Sequence, residues 1–439
     1  MTRTVVVGGG LSGLAAGFAL ARRGEDVRVL EASPRAGGVV RTERMDGFLL
    51  ELGPNTVRPT PEIWGLVNDV GLAHRALLAS ARLPRFIDFG GRLHALAPGP
   101  GTLLTTRLLS AGGKLRLLRE PFGARGADPE ESVARFFARR LGPEVAARLV
   151  APFVSGIWAG DAGELSAAAA FPSLAAWERE RGSLLRGGLA ARRRARPSAP
   201  VPKGLLSFPD GLEELPRALA ARLGGRLSLG VPVEGVARAG DGWRVATGAG
   251  PIEAERLVIA TPAAAAAKLV ESLAPEAGRA LSAMPQPPLA VLHLAYPATA
   301  FARPLDGFGH LVVPAPGRRI LGAVWSSCLF RGRAPEGQVL VTAFAGGARD
   351  PEAAGLPDGA LLEIAARELA ASLGASEGPR LVRVTRHPRA IPQYTRGHAA
   401  RLEALAAAER RLPGLRFLGN YRGGISCGDV VRHALAPIP

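Results

Sequence analysis

The stretch TVVVGGGLSGLAAGFALARRGEDVRVLEA, residues 4–32, admits very few local architectures. Thr4–Val7 is a continuous β-branched run, as in a parallel strand buried on both faces. Gly8, Gly10 and Gly13 follow in G-x-G-x-x-G spacing. The first permits the tight turn, the second lets a pyrophosphate reach the backbone, and the third brings helix onto strand. Leu11 to Arg23 carries Leu14, Phe18 and Ala21 at helical spacing, and Gly24 ends it. A second strand at Asp26–Leu30 places Glu31 at its tip, 18 residues after Gly13. A carboxylate there accepts both ribose hydroxyls and repels a 2′-phosphate. These features predict a Rossmann-type dinucleotide site but do not choose between nicotinamide and flavin.

The far end reads LRFLGNYRGGISCGDVVRHAL, again strand, glycine loop and helix. It offers a second helix N-terminus with free N–H donors, so the two ends are expected to close one domain. Between them, Thr60-Pro61 starts a helix reaching about Asn68, and 83–97 reads as a hairpin around Gly90-Gly91. Residues 103–208 look mainly helical. Two helix starts resemble capping boxes, one within this stretch at Asp128–Glu131 and one just after it at Asp210 with Glu213. After about residue 205 strands return, and from Leu289 the pattern is β-rich up to a helix at 361–373.

Composition narrows the function. Of 55 basic residues only Lys114, Lys203 and Lys268 are lysines, and the formal charge is +17. The arginines are scattered, without the aromatic interleaving of single-strand binders, so no nucleic-acid partner is expected. An anionic substrate or lipid fits better. Cys328 and Cys427 supply neither a disulfide framework nor a metal cluster. The chain enters a strand at once, leaving no signal peptide, and holds no run of about 18 apolar residues, so a cytoplasmic setting is expected.

Arg35, Gly37 and Gly38 after the acid, with the turn Gly53–Asn55 beyond, resemble the flavin-containing amine oxidase superfamily. There the glycines pass beside FAD. Taken in order, VVVGGGLSGLAA, FLLELGPNT, RFIDFGGRLHALAPG, GIWAGDAGELS, SFPDGLEELP, VIATPA, GFGHLV, IPQYTRGH and GNYRGGISCGD resemble its oxygen-dependent protoporphyrinogen oxidase family, over residues 5–429. The resemblance implies an α/β FAD-binding Rossmann-type domain, a mixed-β substrate domain and a helical membrane-binding insertion. The corresponding division is 1–77, 204–268 and 414–439 for FAD, 78–98 and 269–413 for substrate, and 99–203 for the insertion.

It further implies oxidation of protoporphyrinogen IX to protoporphyrin IX in haem synthesis, hydride passing to flavin N5 and oxygen becoming hydrogen peroxide. The enzyme would lie peripherally on the anionic inner face of the cell membrane, with a homodimer and hand-off to ferrochelatase as further partner expectations. Noncovalent FAD would be held by Gly8, Gly10, Ser12 and Gly13, then by Glu31, Ala32, Arg35, Gly37 and Gly38. Gly53, Pro54, Val233, Ala260 and Thr261 follow, and Gly419, Gly424, Ile425 and Ser426 close the site at the flavin. For substrate, Arg85 matches the propionate-binding arginine and Gly156 a glycine facing the macrocycle. Phe308, Leu311, Val324 and Phe344 match the apolar walls, which as bare sequence read equally as strand core. Asn55 and Ser326 match polar contacts.

No obligatory catalytic side chain is identified, and His310, His387 and His398 read as structural. Two related activities compete: oxidation of coproporphyrinogen III, which carries four carboxylates, to coproporphyrin III, and amine oxidation. Amine oxidases commonly place a lysine by the flavin, and the β-rich stretch has none. A catalytically idle flavoprotein scaffold would show a broken glycine motif, and both loops are intact.

Overall fold

The computed structural model describes residues 2–96, 99, 101–194 and 200–437. Two seven-stranded sheets organise it. In the first, Thr2–Val7 runs parallel to Val27–Glu31 on one side and Ile252–Ile259 on the other, with Val6 opposite both Val29 and Val258. Ile252–Ile259 divides its far edge between two partners. Its first half pairs antiparallel with Gly242–Thr247, and its second half pairs parallel with Leu415–Phe417. Strands from the start, middle and end of the chain therefore finish at one edge, where residues 8, 260 and 418 begin loops.

Both faces of this sheet are buried, which is why its central strand alternates nothing. Val6 packs beneath helices Leu11–Arg22, Glu214–Leu223, Pro61–Asp69 and Cys427–Leu435. Val5 and Val7 pack beneath Ala263–Val270, Pro275–Ser282 and His398–Arg411.

The second sheet orders as Arg380–His387, Leu289–Pro297, Gln338–Gly346, Ile320–Val324, Gly309–Val312, Arg85–Phe89 and Arg92–Leu96. The Arg85 hairpin enters through a parallel pairing that sets Arg85 opposite Gly309. One face carries Leu292, Leu294, Val341 and Ala343 under helix Asp358–Leu373. The other face looks toward the helical segment.

That segment includes Val133–Leu141, a helical run from Pro143 to Trp158 with a wider turn at Ala146–Val150, Pro172–Arg181 and Leu184–Arg194. Phe136, Phe137, Val154, Trp158 and Leu165 form its core. Within it a fully buried pair joins Arg140 to Glu120, whose carboxylate also accepts from Ser183 Oγ at 2.7 Å and the Leu184 N–H at 2.8 Å.

Both expected capping boxes are absent. Ser132 caps Val133–Leu141 by accepting from the Arg135 N–H, because Asp128 is spent on the turn before it. Glu213 accepts the Thr42 N–H at 2.8 Å, so its helix begins one residue later without a side-chain cap. Helix His398–Arg411 was not anticipated. The basic stretch 191–203 starts as helix to Arg194, and 195–199 lie outside the described residues.

Candidate functional site

At the shared edge of the first sheet the backbone is glycine because nothing larger fits. Gly8 has φ +111°, and a Cβ there would sit 2.7 Å from the Ala260 carbonyl oxygen. A Cβ on Gly13 would come within 1.8 Å of the Gly8 oxygen. Helix Leu11–Arg22 starts at Gly10 without a side-chain cap and without an acid in its first turn, so its N–H donors and positive dipole end face the loop unopposed. Ser12 lies buried in that first turn.

A second glycine loop closes over the first. Gly37 N–H donates to Gly9 O at 2.8 Å, and Gly38 adopts φ +58°. Arg35 shapes this loop by donating to the carbonyls of Ala36 and Val40, at 2.9 and 3.3 Å. Gly53, followed by Pro54, permits a close approach: a Cβ there would meet Val39 O at 2.0 Å. The Glu31 carboxylate accepts the Gly9 N–H at 2.6 Å and the Ser33 N–H at 2.9 Å. The Val231 N–H donates to Glu31 O at 2.9 Å, just before strand residue Val233, while Ala32 follows Glu31 directly. Ala260 continues the middle strand's loop, and the buried Thr261 hydroxyl has no partner among the described residues. An uncapped helix, glycines that a Cβ would obstruct and an orphaned hydroxyl suit a bound dinucleotide.

The C-terminal loop differs from expectation in one respect. Gly419 and Gly424 take φ +155° and +123°, and Ile425 packs on the helical core. Ser426, however, caps its own helix by accepting the Asp429 N–H at 3.2 Å, and Asp429 sits in the first turn. This helix end is therefore partly neutralised rather than free. Cys427 packs against the first core, and burial pushes its thiol up to about 11.

Strand register puts Arg85, Leu311, Val324 and Phe344 on one face of the second sheet. Arg85, Gly309, Val324, Thr342 and His293 lie in one row, and Leu311, Gly322 and Phe344 in the next. Phe308, Leu311, Val324 and Phe344 are half-buried, whereas His310, Ala323 and Ala343 on the opposite face are buried. The face that carries the expected apolar residues is thus the less covered of the two. Phe308 and Val324 share an apolar cluster with Leu329 and Phe330, while Phe344 packs with Ala159, Leu289 and Leu321. Gly156 opposes Leu311 so closely that a Cβ would lie 2.3 Å from Leu311 Cδ2.

Arg85 holds its guanidinium 5.4 Å from the Phe308 ring centroid and has no ion-pair partner among the described residues. Partial burial, aided by nearby Arg58, holds its pKa below the usual arginine value. A guanidinium beside an aromatic ring, without an ion-pair partner among the described residues, suits a carboxylate.

Asn55, Val324 and Ser326 line one small cavity with Glu51 and Arg333. Ser326 Oγ shares a hydrogen bond with Thr342 Oγ1 at 2.8 Å, and Asn55 Nδ2 donates to Gly53 O at 3.1 Å. Arg333, only 2% exposed, bonds Glu51 at 3.2 Å. Burial pushes the Glu51 carboxyl above its ordinary range against the pull of Arg333.

His293 and His387 donate to the carbonyls of Glu51 and Leu52, at 3.1 and 2.8 Å, just before the Gly53 turn. His310 lies on the sheet's other face, and His398 stacks on Tyr394. Nothing in the residue types around Arg333 marked it beforehand, and Tyr394, within IPQYTRGH, had no role assigned to it; the partners of both are distant in sequence.

The family model for flavin containing amine oxidoreductases matches residues 11–433. The chain is 34% identical to the chloroplastic protoporphyrinogen oxidase of Nicotiana tabacum, over 98% of this chain and 83% of that one. With the protoporphyrinogen oxidase of Homo sapiens it shares 36% identity over 98% and 96%. A crystal structure from Exiguobacterium sp. 255-15, provisionally named a protoporphyrinogen oxidase, superposes with a TM-score of 0.79 at 25% identity, covering 99% and 97%. The chain belongs to the flavin containing amine oxidoreductases and, within them, to the protoporphyrinogen oxidases.

Proposed function

We infer that this chain oxidises protoporphyrinogen IX to protoporphyrin IX with FAD as cofactor and oxygen as acceptor, the penultimate step of haem synthesis. The observation that carries the reading is the half-buried apolar face of the second sheet, headed by Arg85, which has no ion-pair partner among the described residues. Bound FAD supplies the hydride acceptor, and oxygen takes up the electrons as hydrogen peroxide. The protein's part is positional. Arg85 takes a propionate, Phe308, Leu311, Val324 and Phe344 hold the macrocycle, and Gly156 leaves it room. Loops at 8–13, 37–38, 53–54 and 419–426 hold FAD noncovalently, in keeping with a protonated Cys427 thiol. The division into FAD, substrate and insertion units is kept as expected from sequence, except that helices Pro275–Ser282 and His398–Arg411, which pack under the first sheet, are assigned to the FAD unit.

Coproporphyrinogen III tests the choice of substrate. Turnover of the two porphyrinogens is followed by porphyrin fluorescence, and faster turnover of the tetracarboxylate would overturn the reading.

The helical segment further supports docking on an anionic membrane. Among the described residues no helix is long and apolar enough to cross a bilayer. Yet of the twelve exposed large apolar side chains among the described residues, eight fall between 104 and 189, led by Phe122 at 82% exposure. Lys114, Arg116 and Arg119 lie among them, each worth about 1 kcal/mol near anionic lipid. Failure to sediment with anionic liposomes would contradict this.

A further inference from the structure

Tyr394 lies on the segment that follows the second sheet's edge strand, 30 positions before Gly424 in the sequence. It is 2% exposed. Its hydroxyl accepts the Gly424 N–H at 3.0 Å and donates to the Asn420 carbonyl at 2.8 Å. One side chain thus grips the C-terminal glycine loop at two points, four residues apart. The loop needs such a grip. Gly419, Gly423 and Gly424 all have positive φ, so its backbone is free to adopt many shapes.

Tyr394 is itself held rigidly. Its ring stacks on His398 at 3.9 Å between centroids and meets Trp158 edge-on at 5.0 Å. Its carbonyl accepts the Ser166 N–H at 2.8 Å, and Thr395 bridges to Leu165. Adjacent Gln393 donates to the Trp158 carbonyl at 2.8 Å, and the Gly397 N–H donates to Glu130 at 2.6 Å. Trp158, Leu165, Ser166 and Glu130 all belong to the helical segment, whose Gly156 opposes the substrate wall.

We propose that Tyr394 is a positioning residue that fixes the flavin loop's shape from the helical segment through its hydroxyl. The proposal rests on the assignment of loop 419–426 to the flavin. Tyr394→Phe keeps both ring contacts and removes only the hydroxyl, leaving the Gly424 N–H and the Asn420 carbonyl without it.

The test compares purified holoenzymes of wild type, Tyr394→Phe and Tyr296→Phe. Tyr296 is a buried tyrosine outside the loop whose hydroxyl has no partner among the described residues. Two lost hydrogen bonds predict a rise of roughly tenfold in the FAD dissociation constant for Tyr394→Phe. The visible absorption bands of its bound flavin shift as well, while Tyr296→Phe matches wild type in both. Wild-type FAD affinity and spectrum in Tyr394→Phe would overturn the proposal. So would a drop in apoprotein stability with FAD affinity unmoved, which would reduce Tyr394 to a packing residue. Wild type that binds no FAD would instead overturn the loop's assignment.

Discussion

Arg85 and Gly156 state the substrate reading in single atoms. A charge-assisted contact to a propionate is worth about 1.5–3 kcal/mol, so Arg85→Ala loses roughly 10–100-fold in kcat/KM. The loss falls on KM, since the contact is made equally in ground and transition states. Steady-state kinetics with protoporphyrinogen IX checks this, and an unchanged KM would remove Arg85 from the site. Gly156→Ala acts by volume. Its methyl would meet the flexible end of Leu311, which swings toward the gap and crowds the macrocycle. The expected outcome is a kcat/KM about tenfold lower with FAD occupancy unchanged; a wild-type value would show that the gap lies elsewhere. Neither residue announced itself in composition or spacing. Arg85 is one of many arginines, and only a family resemblance singled it out, whereas Gly8 and Gly13 are dictated by backbone geometry that any reader of the sequence can derive.

At the scale of elements, the helical segment depends on one buried ion pair. Burial pushes the Glu120 carboxyl up, but hydrogen bonds from Ser183, the Leu184 N–H and Arg140 outweigh it and hold it below the usual range. A depressed carboxylate stabilises the fold above its unfolded pKa, and that contribution is lost as pH falls through the folded value. Glu120→Gln strands Arg140 in the interior, at a cost of about 3–5 kcal/mol. Hydrogen exchange should show residues 120–185 opening first in this variant, and uniform protection would contradict that. The sequence predicted most elements where hydrophobic period was strong, including the 85–96 hairpin and the strands of the second sheet. It missed His398–Arg411, whose alanines blur the apolar stripe, and it misplaced two caps whose acids bond elsewhere. The parallel pairing of Arg85 with Gly309, and the Arg333–Glu51 contact, join residues more than two hundred positions apart, where local pattern carries no information.

For the whole molecule, three distant parts of the chain converge on the FAD edge, and the seam with the second sheet is tied by His293 and Arg333. Burial lowers His293, His310 and His398 to about 4 each from an ordinary 6.5. The unfolded chain therefore binds more protons between those values, so stability is full above pH 6.5 and declines as pH falls toward 4. Thermal unfolding across that range should show Tm falling steadily with acidity, and a flat profile would contradict the neutral buried histidines. The central claim is that this scaffold passes electrons from a porphyrinogen to its flavin. Purified yellow protein is mixed anaerobically with protoporphyrinogen IX while flavin absorbance and porphyrin fluorescence are followed. Bleaching of the flavin with appearance of porphyrin, reversed by air, is the expected result. A flavin that stays oxidised while the porphyrinogen persists would contradict the account.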